Sequence, residues 1–532
     1  MPVRVSAIVL ELDEVGQEPA LLLTRAARTL GIDPAQIVDL RIVRRSLDAR
    51  GSRAPRFVFT VDVTLAGGPR QTLSKGVSPL WKPGAQLRIE PRPVIVGMGP
   101  AGMFCALALL EAGIAPVILE RGSSVEVRKL DVARLYRLGE LNADSNVSFG
   151  EGGAGTFTDG KLSARTKDRA AMEVLRLLTE LGEADRDILI TNRPHLGSER
   201  LPSVVATIRR RLIEAGCEIR FGARVQEVLA KNGSVTGVRL AGGETLESSA
   251  VVLAPGNAAR ELFASLAGVP GLLVAKPFAV GFRVEHPQQL IDSVQYGRWA
   301  GHPALPAAEY DLAVTGAGRG VWSFCMCPGG VVVPTPTQPG GLCVNGMSSS
   351  RRAGRFANSA IVTELKPEDA VRAGFGDDAL AGMRFQENVE RLAYASGGDR
   401  YKAPAQRLTD LLERKVGHLP SKSSYPRGLT PANLGSLYPG FVTEELRQGI
   451  VAMGKRMRGF VTEDAVLIGA ETRTSSPVSF PRDEEARSTA LDGLYPCGEG
   501  CGHGGGIVSA AVDGLRVGRS LARRLGAPAH CE

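Results

Sequence analysis

Residues 94–121 constrain the fold of this chain more than any other stretch. Val94–Val96 is a β-branched run, Gly97, Gly99 and Gly102 follow it in a GxGxxG pattern, and an apolar run of helical length then leads to Val-Ile-Leu and Glu120. A strand, a glycine turn, a helix and a second strand ending in an acid form the layout that holds the ADP half of a dinucleotide. The segment therefore predicts a parallel βαβ unit with a nucleotide site at its turn.

Each glycine of this turn suits a separate role. Gly97 lets the chain turn sharply, Gly99 has no Cβ to obstruct a pyrophosphate, and Gly102 lets the helix lie close to the sheet. The helix N-terminus presents free N–H groups and a positive dipole end to the phosphates, and the terminal acid can accept hydrogen bonds from the ribose. The other cofactor residues predicted in this segment are Pro100, Ala101, Glu120 and Arg121.

Length and composition limit the class of protein. A chain of 532 residues predicts two or three domains. No apolar run reaches the roughly 18 residues of a membrane span, and the N-terminus lacks the apolar core of a signal peptide. The eight cysteines are scattered, which favours a reducing compartment over a disulfide framework. We therefore expect a cytoplasmic protein without membrane association.

The net charge of +8 is unevenly spread. Residues 1–90 hold 13 Lys and Arg against 9 Asp and Glu, a net charge of +4. A basic unit of this kind can bind nucleic acid, but no aromatic interleaving or basic run accompanies the charge. A solvated face, or a surface that attracts an anionic substrate, remains the simpler interpretation.

Patterning divides the chain into four segments. Residues 1–90 predict a small α+β, ferredoxin-like domain, with strands at Val3–Leu12, Val38–Arg44 and Arg56–Leu65 and a helix at Ala20–Leu30. Residues 91–270 predict the first part of a Rossmann-like domain with three layers, β/β/α. Residues 271–440, rich in turns and short β-like runs, predict an inserted α+β substrate domain. Residues 441–532 predict the second part of the cofactor domain.

Residues 203–256 predict a helix, a strand, a β-meander and a return strand that ends in Ala254-Pro-Gly256. This arrangement resembles flavoproteins of the glutathione-reductase type. In them the stretch matching Gly222-Ala-Arg-Val225 lies by the adenine, and the stretch matching the Gly256 turn lies by the pyrophosphate. Pro255 stands where that family usually has Thr, which removes a side-chain contact.

A second signal lies about 400 residues after the first. A predicted strand, Leu494–Cys497, leads to Gly498-Glu499, a glycine run and an amphipathic helix that starts at Gly506-Ile507. A Gly-Asp/Glu pair at this place resembles the second FAD fingerprint of the same superfamily, in which the acid binds the ribityl chain. The helix dipole there stabilises the anionic reduced flavin. Two fingerprints in this order favour FAD over NAD.

A third glycine-rich loop, residues 148–161, follows the first βαβ unit. In related flavoproteins a loop at this point lines the reactive side of the flavin. We place Gly152, Gly153, Gly155 and Thr156 in the cofactor site. Lys161 is a candidate for a charge near flavin N1 or the substrate, with an ordinary surface lysine as the alternative.

With these residues assembled, the whole chain resembles a family of bacterial, mostly uncharacterised FAD-dependent dehydrogenases. The resemblance rests on Phe149-Gly-Glu-Gly-Gly-Ala-Gly-Thr-Phe157, Lys276-Pro-Phe-Ala-Val-Gly-Phe-Arg283, Glu471-Thr-Arg-Thr-Ser-Ser-Pro477 and Gly498-Glu-Gly500, among other motifs. It implies one FAD and the fold above, and it implies no substrate. The sequence departs from the family after Gly500, where Cys501-Gly-His503 replaces an expected Ala-Gly-Tyr.

Four residues are candidates for catalysis. His503 titrates near working pH and is the first candidate for a general acid or base, with Cys501 beside it at the departure from the family. Arg473 is a candidate for binding an anionic substrate or flavin O2, and Lys161 is the fourth. A redox pair of Cys497 and Cys501 is a further alternative. The sequence predicts no metal site.

The function we predict is an FAD-dependent oxidoreductase, a dehydrogenase or oxidase that moves hydride between a small organic substrate, anionic if Arg473 binds it, and flavin N5. The chain has no second strand–GxGxxG–helix unit with its own acid for a nicotinamide cofactor. One alternative is a monooxygenase or reductase to which NAD(P)H docks transiently. An alternative of another class is a flavoprotein that binds RNA through the basic N-terminal unit, as tRNA-modifying flavoproteins do.

Overall fold

The structure is a computed structural model that describes residues 2–50, 53–67, 81–157, 160–162 and 169–527. Thr158 and Asp159 of the predicted loop at 148–161, and the last of the eight cysteines, lie outside these residues. None of the helices in the described part combines the length and apolar character needed to cross a lipid bilayer.

The strands, in chain order, are β1 (Val3–Glu11), β2 (Ile37–Asp48), β3 (Arg56–Leu65), β4 (Val94–Val96), β5 (Val117–Leu119), β6 (Glu218–Arg220), β7 (Val225–Lys231), β8 (Ser234–Leu240), β9 (Thr245–Glu247), β10 (Val251–Leu253), β11 (Val274–Ala275), β12 (Phe278–Pro287), β13 (Ala313–Thr315), β14 (Gly320–Pro334), β15 (Val344–Ser348), β16 (Phe356–Leu365), β17 (Ala403–Arg407), β18 (Leu429–Pro431), β19 (Val466–Glu471), β20 (Val478–Ser479) and β21 (Leu494–Pro496). The α-helices are α1 (Glu18–Leu30), α2 (Pro100–Glu111), α3 (Val125–Leu138), α4 (Arg169–Glu180), α5 (Leu201–Glu214), α6 (Arg260–Leu266), α7 (Gln288–Tyr296), α8 (Pro367–Arg372), α9 (Ala381–Gly397), α10 (Leu408–Leu412), α11 (Gly440–Arg456) and α12 (Ile507–Arg524).

The N-terminal unit is an antiparallel sheet in the order β1-β3-β2 with α1 packed on it. Its helix and three strands lie where the hydrophobic pattern predicts them. Alternate residues of β3, Phe59, Val61 and Val63, are buried against Leu22 and Ala26 of α1, as expected for a sheet with one covered face. A ferredoxin-like domain needs a second helix and a fourth strand, which residues 2–50 and 53–67 do not contain, so that finer prediction is not confirmed.

The cofactor unit is built on a parallel sheet in the order β21-β10-β4-β5-β6. Val94 and Val96 point to the face covered by the β7-β8-β9 meander, whereas Ile95 between them points to the face covered by α2 and α12. This alternation buries both faces of the sheet, which explains why its strands are continuously apolar. The observed layers are the meander, the sheet and the helices.

The inserted unit is dominated by a larger sheet in the order β13-β14-β16-β12-β19-β17-β18, with β15 paired to β14. The structure differs here from the predicted boundary at residue 440. Helix α11 packs on this sheet and β19 lies inside it, between β12 and β17, so the unit runs on to Glu471. An apolar strand such as Val466–Glu471 carries no local signal for which of two sheets it joins.

The two chain segments that connect the inserted unit to the cofactor unit lie side by side. Strands β11 and β20 form a two-stranded antiparallel ladder in which Val274 pairs with Ser479 and Ala275 with Val478. This ladder places the start of β12 and the segment after β19 next to the end of β21, at the carboxyl edge of the parallel sheet.

Candidate functional site

A cavity of about 1300 Å³ lies between the carboxyl edge of the parallel sheet and the large sheet of the inserted unit. In open α/β sheets this edge is where ligands bind. The predicted cofactor residues that line the cavity are Gly97, Gly99, Pro100, Ala101, Glu120, Arg121, Gly153, Gly155, Val225, Gly256, Gly498, Glu499, Gly506 and Ile507. Two of the four predicted catalytic residues, Lys161 and Arg473, line it as well.

The first glycine turn has the geometry that its sequence predicts. Gly97 has a φ of +100°, and a Cβ there would lie 2.3 Å from the carbonyl oxygen of Ala254. A Cβ on Gly102 would lie 2.0 Å from the carbonyl oxygen of Gly97. Gly99 caps α2 and faces Gly153 across the cavity wall, where the absence of both Cβ atoms leaves space for a ligand.

Glu120 binds the turns on either side of the cavity. Its carboxylate accepts hydrogen bonds from the backbone N–H groups of Met98 at 2.8 Å, Gly122 at 2.9 Å and Gly150 at 2.9 Å. The acid predicted to bind ribose therefore also fixes the glycine turn and the loop at 148–157 to each other. Oε2, which accepts one of these three hydrogen bonds, keeps further acceptor capacity for a ligand hydroxyl.

The loop at 148–157 is held by Arg128, a residue that the sequence analysis missed. Its fully buried guanidinium donates to five backbone carbonyls, which are those of Asn146, Val147, Gly150, Glu151 and Gly153. Burial lowers the pKa of Arg128 to about 10, so it stays charged at neutral pH. A signal was present, because Arg128 falls on the apolar stripe of α3 between Val125 and Val132.

The second fingerprint closes the other end of the cavity. The half-buried carboxylate of Glu499 accepts from the backbone N–H of Gly506 at 3.2 Å and from the side-chain amide of Asn257 at 3.1 Å. Burial raises the pKa of Glu499. Helix α12 begins at Ile507 directly after Gly506, so its N-terminus and positive dipole end lie at the cavity.

The inserted unit contributes a buried charge cluster around Glu390. The Glu390 carboxylate accepts two hydrogen bonds from Arg260, both at 2.9 Å, and two from Arg473, at 2.9 and 2.7 Å. The two guanidiniums hold the pKa of Glu390 far below its ordinary value against the opposing effect of burial. Arg260 also pairs with Glu387 at 3.8 Å, and Arg473 places its guanidinium in the cavity wall.

A second buried ion pair lies in the same wall. Arg283 of β12 is fully buried and donates to Glu471 of β19 at 3.2 Å, to Asn345 and Asn358, and to the carbonyl oxygen of Cys325 at 2.6 Å. Glu471 lines the cavity. Burial raises the pKa of Glu471 to about 7, although the neighbouring Arg283 lowers it. The cavity therefore contains a carboxyl group that titrates near neutral pH.

Lys161 reaches the cavity beside a bulge in β14. The register of β14 against β16 shifts between Phe324 and Cys327, and Cys325 within it has a φ of +46°. The Lys161 ammonium donates to the carbonyl oxygen of Met326, in the same bulge. The predicted lysine therefore connects the loop at 148–161 to the inserted unit.

The structure does not bring the other two catalytic candidates to the cavity. The Cys501 thiol is buried and donates to the carbonyl oxygen of Leu253 at 3.1 Å, and burial raises its pKa to about 12. The His503 ring lies 2.9 Å from the carbonyl oxygen of Phe480, and burial lowers its pKa. Both side chains pack behind the second fingerprint, so neither is placed to act as an acid, base or thiolate on a ligand in the cavity.

Three predicted cofactor residues also lie behind the wall. Gly102 faces the turn from inside α2. A Cβ on Gly152 would lie 2.1 Å from the hydroxyl of Thr156, so these two residues shape the loop from within. Among the described residues no group of three or more His, Cys, Asp and Glu side chains is placed to hold a metal ion.

The lining of the cavity fits an extended dinucleotide. A glycine turn and helix N-terminus lie at one end, a second glycine run and helix N-terminus lie at the other, and the glycines between them leave the backbone accessible. Arg121, stacked 3.8 Å over the Phe149 ring, and Val225 flank the first end, and Glu499 and Ile507 flank the second.

Two family models match the chain. One is described as FAD-dependent protein, C-terminal domain-like, and matches residues 277–474. The other is a domain of unknown function, DUF8436, and matches residues 2–64. The first covers nearly the whole inserted unit, including Arg283, Glu471 and Arg473.

Curated relatives include one full-length match. An uncharacterized protein of Clostridium beijerinckii (strain ATCC 51743 / NCIMB 8052) is 38% identical over 543 residues, covering 99% of this chain and 100% of the relative. Protein FixC of Escherichia coli (strain K12) is 29% identical over 206 residues, 37% of this chain and 44% of FixC. A probable electron transfer flavoprotein-quinone oxidoreductase, YdiS, of the same strain is 28% identical over 173 residues, 31% of this chain and 36% of YdiS.

Matches among solved structures include the Aquifex aeolicus GidA protein, with a TM-score of 0.36, 14% identity and coverage of 83% of this chain and 67% of that chain. CtdE in complex with FAD has a TM-score of 0.32 and 11% identity, and the match covers 81% of this chain and 83% of CtdE.

Proposed function

This chain belongs to the family of FAD-dependent proteins that includes the full-length Clostridium beijerinckii relative, and from that premise we propose that it is a dehydrogenase or oxidase of a small organic anion. FAD is its cofactor, and the oxidoreductase names of partial relatives support the reaction class. The single observation that carries the proposal is the shared cavity, because both FAD fingerprints line it together with the charged wall of the inserted unit. This charged wall consists of Glu471 and Arg473 with their ion-pair partners Arg283 and Glu390.

Different residues of the chain would bind different parts of the cofactor. The turn at Gly97–Gly102 and the N-terminus of α2 would bind the pyrophosphate, Glu120 the ribose, and Glu499 the ribityl chain. The N-terminus of α12 would place a positive dipole end near the flavin ring. When bound, FAD supplies a two-electron acceptor that takes a hydride.

The charged wall would hold the substrate. Arg473 places a guanidinium of the Glu390 cluster in the cavity wall, which favours a ligand with a negative charge. The bulge of β14 and Lys161 complete the wall and exclude water from the space between substrate and cofactor.

The test of the reaction is anaerobic photometry of the FAD-loaded protein. We expect the flavin absorbance near 450 nm to bleach when a substrate of the proposed class is added, and to persist with NADH or NADPH alone. Candidate substrates are small carboxylates with an oxidisable alcohol or amine. Bleaching by NADPH alone would instead favour the monooxygenase or reductase, in which NAD(P)H docks transiently.

The electron acceptor is a separate part of the proposal. One relative is named as a probable electron transfer flavoprotein-quinone oxidoreductase, which supports a quinone as the acceptor of this protein too. Reoxidation of the reduced protein by a soluble quinone analogue, compared with air-saturated buffer, tests this. Reoxidation that is faster with oxygen than with the quinone would favour an oxidase.

We propose no nucleic acid partner, because basic side chains of the N-terminal unit are used for docking. Arg44 donates to Asn192 at 2.7 Å, and Arg45 pairs with Asp187 at 3.4 Å while its backbone N–H binds the carbonyl oxygen of Ile190. Copurified RNA that dissociates with salt would contradict this. The free cysteines of the described residues support the proposal of a reducing cytoplasmic location.

A further inference from the structure

The end of β19 places two side chains of opposite charge, Glu471 and Arg473, in the cavity wall two residues apart. Arg473 uses Nε and Nη2 to bind Glu390, whereas its Nη1 is buried and has no hydrogen-bond partner among the described residues. The Arg473 side chain is only 10% exposed. The hydroxyl of Thr474, which also lines the cavity, is likewise buried without a partner in the described part of the chain.

Unpartnered buried donors on a charged wall require an acceptor from the ligand. A buried donor without a partner destabilises the folded protein, and more so when it is charged. Arg260, Glu390 and Arg473 together carry one net positive charge, and a fourth group, Glu387, is 39% exposed, pairs with Arg260 at 3.8 Å and does not line the cavity. A carboxylate oxygen would satisfy both the guanidinium and the hydroxyl.

When Glu471 is ionised, its negative charge repels a carboxylate ligand. It is 3% exposed, and its hydrogen-bonding cation, Arg283, lies behind it in the sheet. The titratable or charged groups that face Glu471 are Arg283 from β12, Cys325 from β14, Cys343 before β15, and Tyr438 before α11. Because burial raises the pKa of Glu471 to about 7, its proton is available in the neutral range.

We propose that Glu471 and Arg473 form a recognition site for the carboxylate group of the substrate, and that Glu471 takes up one proton from solvent when the carboxylate binds. Arg473 and Thr474 donate to the carboxylate, and the protonated Glu471 adds a hydrogen bond in place of a repulsion. One proton enters for each carboxylate, so the net charge of the site does not change. The inference rests on the proposed function only for the identity of the ligand as substrate.

The test measures ligand binding, which does not require turnover. The FAD-loaded protein is titrated with acetate, pyruvate and benzoate, each followed by the flavin difference spectrum over roughly pH 6 to 9. We expect binding of at least one of them to weaken by up to about tenfold per pH unit above neutrality. Calorimetry in two buffers of different ionisation enthalpy should give proton uptake approaching one per carboxylate at the alkaline end.

Variants separate the two roles. Glu471→Gln should bind the same carboxylate without the pH dependence and without proton uptake, whereas Glu471→Asp should retain both. Arg473→Met should weaken binding by at least about tenfold. Glu285→Gln is the matched control, because Glu285 is also a buried carboxyl of the large sheet whose pKa is raised by burial, but it binds Ser424 and lies outside the cavity lining. It should leave the pH dependence unchanged.

Two results would overturn the inference: failure of wild-type protein to bind any of the three carboxylates, or binding with the same affinity at every pH. Retained flavin absorbance in each variant excludes misfolding as the cause of a loss. Carboxylate binding with proton uptake, but without bleaching by any candidate substrate, would refute the proposed function and leave this site in place.

Discussion

A Cβ atom on Gly150 would lie 2.4 Å from Cδ of Arg128, so the arginine occupies the space that any larger residue at position 150 would need. The guanidinium then spreads over the carbonyls of the loop at 146–153, including that of Gly150 itself. A loop in which three of the four residues Gly150–Gly153 have a positive φ has little regular structure of its own. Its conformation depends on the buried cation.

Arg128→Lys should therefore destabilise the protein and weaken FAD binding. Lysine keeps the charge but offers three donors from a single nitrogen, which cannot reach five carbonyls arranged around a plane. We expect a loss of about 3 kcal/mol in the free energy of unfolding and a lower ratio of FAD to polypeptide. Urea unfolding and the flavin absorbance measure these. Arg134→Lys, at an exposed position of the same helix, is the control, and equal losses in the two variants would contradict the role of Arg128.

Gly150→Ala tests the same relationship from the loop. Gly150 has a φ of +119° and no space for a methyl group. Gly243, between β8 and β9, has a φ of +88° but open space around its missing Cβ. Both alanine variants carry backbone strain, but only the first collides with a buried side chain. We expect Gly150→Ala to cost about 2 kcal/mol more than Gly243→Ala and to lose FAD, as thermal unfolding and flavin content would show.

Glu390→Gln should destabilise the fold strongly at neutral pH. It removes the buried carboxylate that Arg260 and Arg473 share, which costs about 3–5 kcal/mol. The folded-state pKa of Glu390 is held below its unfolded value, so its contribution to stability is complete above about pH 4.5 and is lost as pH falls through the folded pKa.

The measurement is the free energy of unfolding of wild type and Glu390→Gln from neutral to acid pH. The difference between them should shrink as pH falls below the unfolded pKa. Glu387→Gln, at a 39% exposed carboxylate 3.8 Å from Arg260, is the control and should change stability less than Glu390→Gln does. A difference that stays constant with pH would show that the charge of Glu390 is not what stabilises the cluster.

His503→Gln and Cys501→Ala should both retain the chemistry. Their side chains bind the carbonyl oxygens of Phe480 and Leu253 behind the second fingerprint. We expect the rate of anaerobic flavin reduction to change by less than about threefold in either variant. A loss greater than tenfold at unchanged FAD content would return these residues to the catalytic role that the sequence suggested.

Local patterns predicted the cofactor unit well because its elements are defined by neighbours in the chain. The strand–glycine–helix order at 94–121 specifies β4, the turn and α2 within one short segment, and the glycines have the positive φ or close contacts that their roles require. The helix at 201–214 and the meander that follows it were predictable for the same reason, since periodicity and turns are local properties.

The charged wall was not predictable, because its pairs join distant segments. The ion-paired residues Arg283 and Glu471 are 188 positions apart in the sequence, and Arg260 and Glu390 are 130 positions apart. Arg473 was a candidate from its motif, but its partner and its unsatisfied nitrogen become apparent only in the packed structure. His503 and Cys501 look reactive in sequence because of their chemistry, whereas burial and hydrogen bonding decide what that chemistry can reach.

The ladder of β11 and β20 means that the inserted unit leaves the cofactor unit and returns to it at adjacent points. A segment whose ends are neighbours can be exchanged for another without disturbing the sheet that surrounds it. Glu471, Arg473 and the bulge of β14 all belong to that exchangeable segment, whereas both FAD fingerprints lie outside it. A flavoprotein of this architecture could therefore acquire a new substrate through changes within this insertion, while both FAD fingerprints stay unchanged.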